Sequence, residues 1–135
     1  MRIRRLNLDK IGDIAGLFEQ QPDKYEANGK HDFEALKELE KIVGEIVQFP
    51  VDEYMLFGVK IRWNRVVSLG LYELWLPSFP ECISVLKSLT FLDLEKNSLT
   101  SLPESIGQLK SLTHLDLRRN KLTSLPKSIS QLTAL

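Results

Sequence analysis

The sequence has one cysteine, Cys82, so no disulfide can close within the chain. It has no Asn-x-Ser/Thr acceptor for glycosylation. No apolar run approaches the roughly 18 residues of a membrane span, and after the basic MRIRR start the apolar residues are interrupted by Asp9, Lys10 and Asp13. Neither anchor nor signal peptide is therefore expected, and the expected location is cytoplasmic. Net charge is missing too: 18 basic and 18 acidic residues cancel. Such a chain has no overall field to draw it onto nucleic acid or an anionic membrane, so neither is expected as a partner.

Catalytic signatures are also lacking. There is no GxxxxGK[ST] phosphate loop, no HExxH, no GxSxG elbow and no cysteine pair for zinc. Asn28-Gly29-Lys30-His31 lacks the first glycine and the hydroxyl residue of a phosphate loop. His31 and His114 have no ligand cluster around them and read as surface histidines. Cys82 reads as a small filler beside an outer turn. The expectation is a non-enzyme with no cofactor and no metal.

What is present is enough for one domain: 135 residues, 43% of them hydrophobic. Residues 1–53 form one segment and 54–135 another. In the first, Leu8, Ile11, Ile14, Leu17 and Phe18 give a short helical spacing. The polar stretch QPDKYEANGK, with Pro22 and Gly29, predicts a loop. The run DFEALKELEKIVGEIV predicts a helix with Leu36, Leu39, Val43 and Ile46 on its apolar stripe, Asp32 as N-cap and an exit at Pro50. Its charged face reads as a solvated surface. Beyond it, Phe57, Val59, Ile61 and Trp63 alternate with Gly58, Lys60 and Arg62, the period of a strand with one buried face, which places Trp63 in the core. Asn64 then turns the chain into a second run, Val66 to Leu71, as a hairpin.

Residues 89–111 and 112–134 are two copies of one phrase, identical at 15 of 23 positions. The identities include Leu92, Leu94, Asn97, Leu99, Leu102, Pro103 and Ile106, matched by Leu115, Leu117, Asn120, Leu122, Leu125, Pro126 and Ile129. A degenerate first copy precedes them: Val66, Leu69, Leu71, Leu76, Phe79, Pro80, Ile83 and Leu86 hold the apolar and proline places. Leu74 stands where the later copies have asparagine, so that turn is expected to be built differently, with no side-chain amide to serve it.

With this LxxLxLxxNxLxxLPxxI phrase, residues 54–135 resemble the leucine-rich repeat family in its intracellular form, as in scaffold proteins of small-GTPase signalling. The resemblance implies an α/β fold: a short solenoid of parallel strands at each LDL, a buried Asn97 and Asn120, and loose helical turns after Pro103 and Pro126 on the outer side. The hairpin is similar to the amino-terminal cap of plant-type repeat proteins at Gly58-Val59 and at Arg65 to Leu71, without their cap cysteines. Such a strand would cover the edge of the repeat sheet.

The positions that differ between copies lie outside the leucine framework. Strand geometry points Leu92 and Leu94 inward and Phe91, Asp93 and Glu95 to the open side. Stacking then sets Glu95 beside Arg118 and Glu104 beside Lys127, as surface pairs worth about 0–1 kcal/mol each. The open face holds Ser68, Gly70 and Tyr72, then Phe91, Asp93 and Glu95, then His114, Asp116 and Arg118. Tyr72, Phe91 and His114 offer contact area, and Asp93 beside Asp116 makes an acidic step suited to a basic side chain of a protein partner.

The third copy has no polar segment after it, and its apolar side is expected to lie partly open. Three explanations stand: a fragment of a longer array, self-association through the open end, or a short and marginal fold. The family resemblance implies a protein-interaction module or scaffold. The alternative is the sensing arm of a larger enzyme, such as a GTPase, kinase or nuclease, with its catalytic domain beyond Leu135.

Overall fold

The computed structural model describes residues 22–44 and 57–135, with side chains from residue 31 onward. The expected short helix near residues 8–18, Ile46 and the exit at Pro50 lie outside the described residues.

Helix α1 runs from Pro22 to Val43. It includes the QPDKYEANGK stretch from Pro22 on, correcting the expected loop. Proline is well suited to the first helical position, where its absent N–H would have no partner anyway. Gly29 inside the helix costs only about 1 kcal/mol relative to alanine. That is small against the burial of Ala35, Leu36 and Leu39, at about 1.5–3 kcal/mol for a leucine. Asp32 is therefore not an N-cap: it lies well inside α1 and is fully buried. The helix stops at Gly44, whose φ of +84° suits glycine and whose N–H donates to the Glu40 carbonyl at 2.9 Å.

Strands β1 (Phe57–Arg62) and β2 (Arg65–Leu71) form the hairpin. Trp63 and Asn64 connect them with φ values of 53° and 59°, the left-handed pair of a type I′ turn. Register shifts after Lys60, where Val67 is the extra residue of a bulge on β2. Val59 is buried, Ile61 half-buried, and Trp63 is 63% exposed. Trp63 is thus a turn residue and not core, because the bulge and the turn consume the end of the alternating run.

Strands β3 (Phe91–Asp93) and β4 (His114–Asp116) continue the sheet in the order β1-β2-β3-β4. β2, β3 and β4 are parallel, with Ser68 beside Phe91 and Phe91 beside His114. Each strand leads to a proline and a 3₁₀ turn: Glu81–Val85, Glu104–Gln108 and Lys127–Gln131. In each turn an isoleucine N–H returns to the proline carbonyl, Ile83 to Pro80, Ile106 to Pro103 and Ile129 to Pro126, at 3.0–3.1 Å. The same bond recurs because the same residues recur one unit later.

The leucines and isoleucines between strands and turns make one core, which α1 joins through Ala35, Leu36 and Leu39. Burial fades along the stack: Leu102 is buried, whereas its counterpart Leu125 is 54% exposed. No described helix is long and apolar enough to cross a membrane.

Candidate functional site

The short strands set the site. In β3, Leu92 and its follower Leu94 are fully buried, so the intervening side chains are delivered to the opposite face of the sheet. The register of β3 and β4 then places Phe91 beside His114 and Asp93 beside Asp116. The Phe91 and His114 rings lie tilted with centroids 6.2 Å apart. His114 Nδ1 is 2.9 Å from the Thr113 hydroxyl. Phe91, His114, Asp116 and Arg118 share with Leu115, Leu117 and Leu135 a recess of about 730 Å³.

Three carboxylates converge beside the rings: Asp93, Glu95 and Asp116 each bring an oxygen within 4.8 Å of the others. Asp93 is only 1% exposed and accepts the Glu95 N–H at 2.8 Å. Burial, foremost, and then the negative fields of Asp116 and Glu95 push the Asp93 carboxyl above its ordinary range, against that hydrogen bond and the nearby Arg118. Asp116 moves the other way, held down chiefly by hydrogen bonding to Arg118.

Arg118 organises the cluster. Its Nη2 donates to Asp116 Oδ2 at 2.7 Å, its Nε lies 3.0 and 3.1 Å from the two Asp116 oxygens, and Nη2 reaches Glu95 Oε2 at 3.3 Å. The donor set is of the oxygen type that hard cations take. Yet Asp116 and Glu95 are already engaged by the guanidinium, so a cation would have to displace it. The expected Glu95 and Arg118 neighbours are therefore real, but the stronger partner of Arg118 is Asp116 in its own unit. Sequence spacing pointed across the stack and missed the fork two residues away. Glu104 lies within the field of Lys127, as expected, and its carboxylate accepts the Ser128 N–H at 3.0 Å.

Tyr72 lies one unit from Glu95 along the stack. Lys96 sits 5.1 Å above its ring and 3.6 Å from Glu73.

The framework residues keep the turns in register. Buried Asn97 donates to the Leu71 and Leu94 carbonyls at 2.8 and 3.0 Å and accepts the N–H groups of Leu74 and Leu76 at 3.1 and 3.0 Å. Asn120 repeats the scheme, donating to Leu94 and Leu117 and accepting Leu99 N–H. A leucine-rich repeat profile matches residues 79–135. Residues 79–135 are leucine-rich repeats. Among solved structures, a leucine-rich repeat protein of Leptospira interrogans is similar at 42% identity over 54% of this chain, with a TM-score of 0.51. The chain spans 19% of that protein's length. No curated protein matches.

The turn at Leu74, just ahead of the matched residues, corrects one expectation. It is served by an amide after all, that of Asn97 in the next repeat. It is nonetheless built differently, because Trp75 adopts φ 58°. The residue before each asparagine place, Glu73, Lys96 and Arg119, shares a left-handed φ of 55–57°. Trp75 adds a second left-handed residue to the first turn alone. Nothing in the phrase foretold it, since the repeated copies carry Ser98 and Lys121 there.

Proposed function

We propose that the chain works as a protein-interaction module, and that the face carrying Phe91, Asp93, His114 and Asp116 receives the partner. The observation that carries this reading is the cluster of Asp93, Glu95 and Asp116, whose carboxylate oxygens lie within 4.8 Å of one another beside the Phe91–His114 ring pair. Carboxylates crowded in this way gain from an added cation, which favours their ionised form. An arginine or lysine of a partner protein supplies one, with Phe91 and His114 packing against its stem or its neighbours. Arg118 neutralises Asp116 and leaves Asp93 the less compensated acid. Tyr72 and Glu95 extend the surface to its rim.

The absence of a recognisable catalytic motif in the sequence and the family's general use as a binding surface support the same reading, although the fold alone names no ligand. The test is capture of partners by the chain and by its Phe91→Ala/Asp116→Arg variant, followed by affinity measurement with one purified partner. The reading expects about a tenfold or greater loss of affinity for the variant. Capture of the same partners with unchanged affinity would refute it.

A further inference from the structure

The turns that follow β2, β3 and β4 form a continuous edge beside the open face. Glu73 N–H donates to the Glu95 carbonyl at 3.1 Å and Lys96 N–H to the Arg118 carbonyl at 3.0 Å. Ser98 N–H donates to Leu76 and Lys121 N–H to Leu99, both at 2.9 Å. Each turn is thereby fastened to the next, and equivalent backbone positions stand in rows.

Trp75 stands on this edge, 74% exposed, with its backbone in the left-handed region. That region costs a bulky residue about 1–2 kcal/mol. An exposed indole also leaves in water a surface that commonly buries about 150–250 Å². Leu74 in the asparagine place explains an altered turn, but it does not explain a tryptophan on the outside of it.

Two rows along lies Lys121, exposed, and next to it Arg119, whose Nε is 3.6 Å from Glu95 while its side chain stays 66% exposed. Lys96 is engaged by Glu73 and Tyr72. Cations therefore exceed acids on this edge of a chain whose net charge is zero.

We infer that this edge is a second docking surface, and that its occupant is an acidic segment of a partner protein carrying one apolar side chain. The apolar side chain covers Trp75, and carboxylates meet Arg119 and Lys121. Trp75 and Lys121 are two strand spacings apart, about 10 Å, which an extended peptide spans in about three residues. A nucleic acid strand suits the edge less well, because Glu73 and Glu95 are set among the cations. The surface favours the opposite charge to the Asp93 face and touches it only where Arg119 pairs with Glu95, so binding read at Trp75 and Lys121 can fail without the other.

The probe is a short synthetic peptide with one leucine and glutamates spaced three residues from it, titrated into the intact chain. The readout is the indole N–H cross-peak of Trp75, assigned with Trp63→Phe. We expect a saturable shift of the Trp75 signal and little change at Trp63. Affinity should fall about tenfold in Arg119→Glu/Lys121→Glu and weaken with salt. The inference is overturned by no saturable shift at millimolar peptide, by an equal response to the glutamine version of the peptide, or by tighter binding of an oligothymidylate. Should the double variant fold poorly, Lys121→Gln alone with the same peptide decides the point, an unchanged affinity counting against the inference.

Discussion

The side-chain oxygen of Asn97 accepts the backbone N–H of Leu74 at 3.1 Å, so the second repeat supplies the amide that the first repeat lacks. The bond joins equivalent positions of adjacent units. It makes Asn97 responsible for two turns at once.

Asn97→Ala would leave the Leu74 and Leu76 N–H groups and the Leu71 carbonyl without their partner in a buried turn. At about 1–3 kcal/mol for each unsatisfied group that cannot reach water, a loss of about 3–5 kcal/mol is expected. Asn120 is half-buried and accepts only the Leu99 N–H in the same way. Asn120→Ala should therefore cost less, about 1–2 kcal/mol. Urea unfolding of the two variants checks the order.

Gly107 is needed for close approach, not for backbone freedom. A Cβ there would meet the Ser128 Cβ at 2.7 Å and the Ser128 carbonyl oxygen at 2.9 Å. Gly107→Ala should cost about 1–3 kcal/mol by overpacking. Ser128→Gly should recover part of it, since the carbonyl contact remains, and thermal melts of the single and double variants measure this.

Asp32 fixes α1 to the hairpin, accepting Val66 N–H at 2.8 Å and Arg65 Nε at 3.1 Å. Burial raises its carboxyl pKa, opposed by the Val66 bond, by Arg65 and by the charge of His31. The folded chain thus holds this proton more tightly than the unfolded chain does. Its contribution to stability is full below the ordinary value of 3.8, falls as pH rises through the raised value, and is level above it. Asp32→Asn keeps an oxygen for Val66 and should remove this part of the slope, read as the urea midpoint against pH. Asp32→Ala should instead destabilise at all pH values by orphaning the Val66 N–H.

Arg118→Ala should change the two aspartates differently. Asp116 loses the hydrogen bonds that hold its pKa down and should move up. Asp93, already raised, loses a compensating charge and should move further up. Carboxyl carbon shifts followed against pH report both.

The repeats were legible because their signal is written more than once. Pro103 and Pro126, Asn97 and Asn120, and the inward leucines stand one unit apart, and the same local geometry follows each time. The hairpin at Asn64 was legible from alternation alone. The features that escaped occur once and act over distance. Asp32 meets Val66 34 residues away, so its role could not be seen from its neighbours, which made it look like a helix cap. Trp63 looked like core until a bulge at Val67 and a two-residue turn used up the strand. At the site, stacking located Asp93 beside Asp116, while the Arg118 fork depends on a side-chain choice within one turn that periodicity does not encode.

The most direct measurement is the amide footprint of a purified, captured partner on the isotopically labelled chain. The account predicts shifts concentrated at Phe91 to Glu95 and His114 to Arg118, with the Asp93 carboxyl titrating lower in the complex than in the free chain. A footprint confined to the outer turns, Glu104–Gln108 and Lys127–Gln131, with the Asp93 titration unmoved, would contradict it.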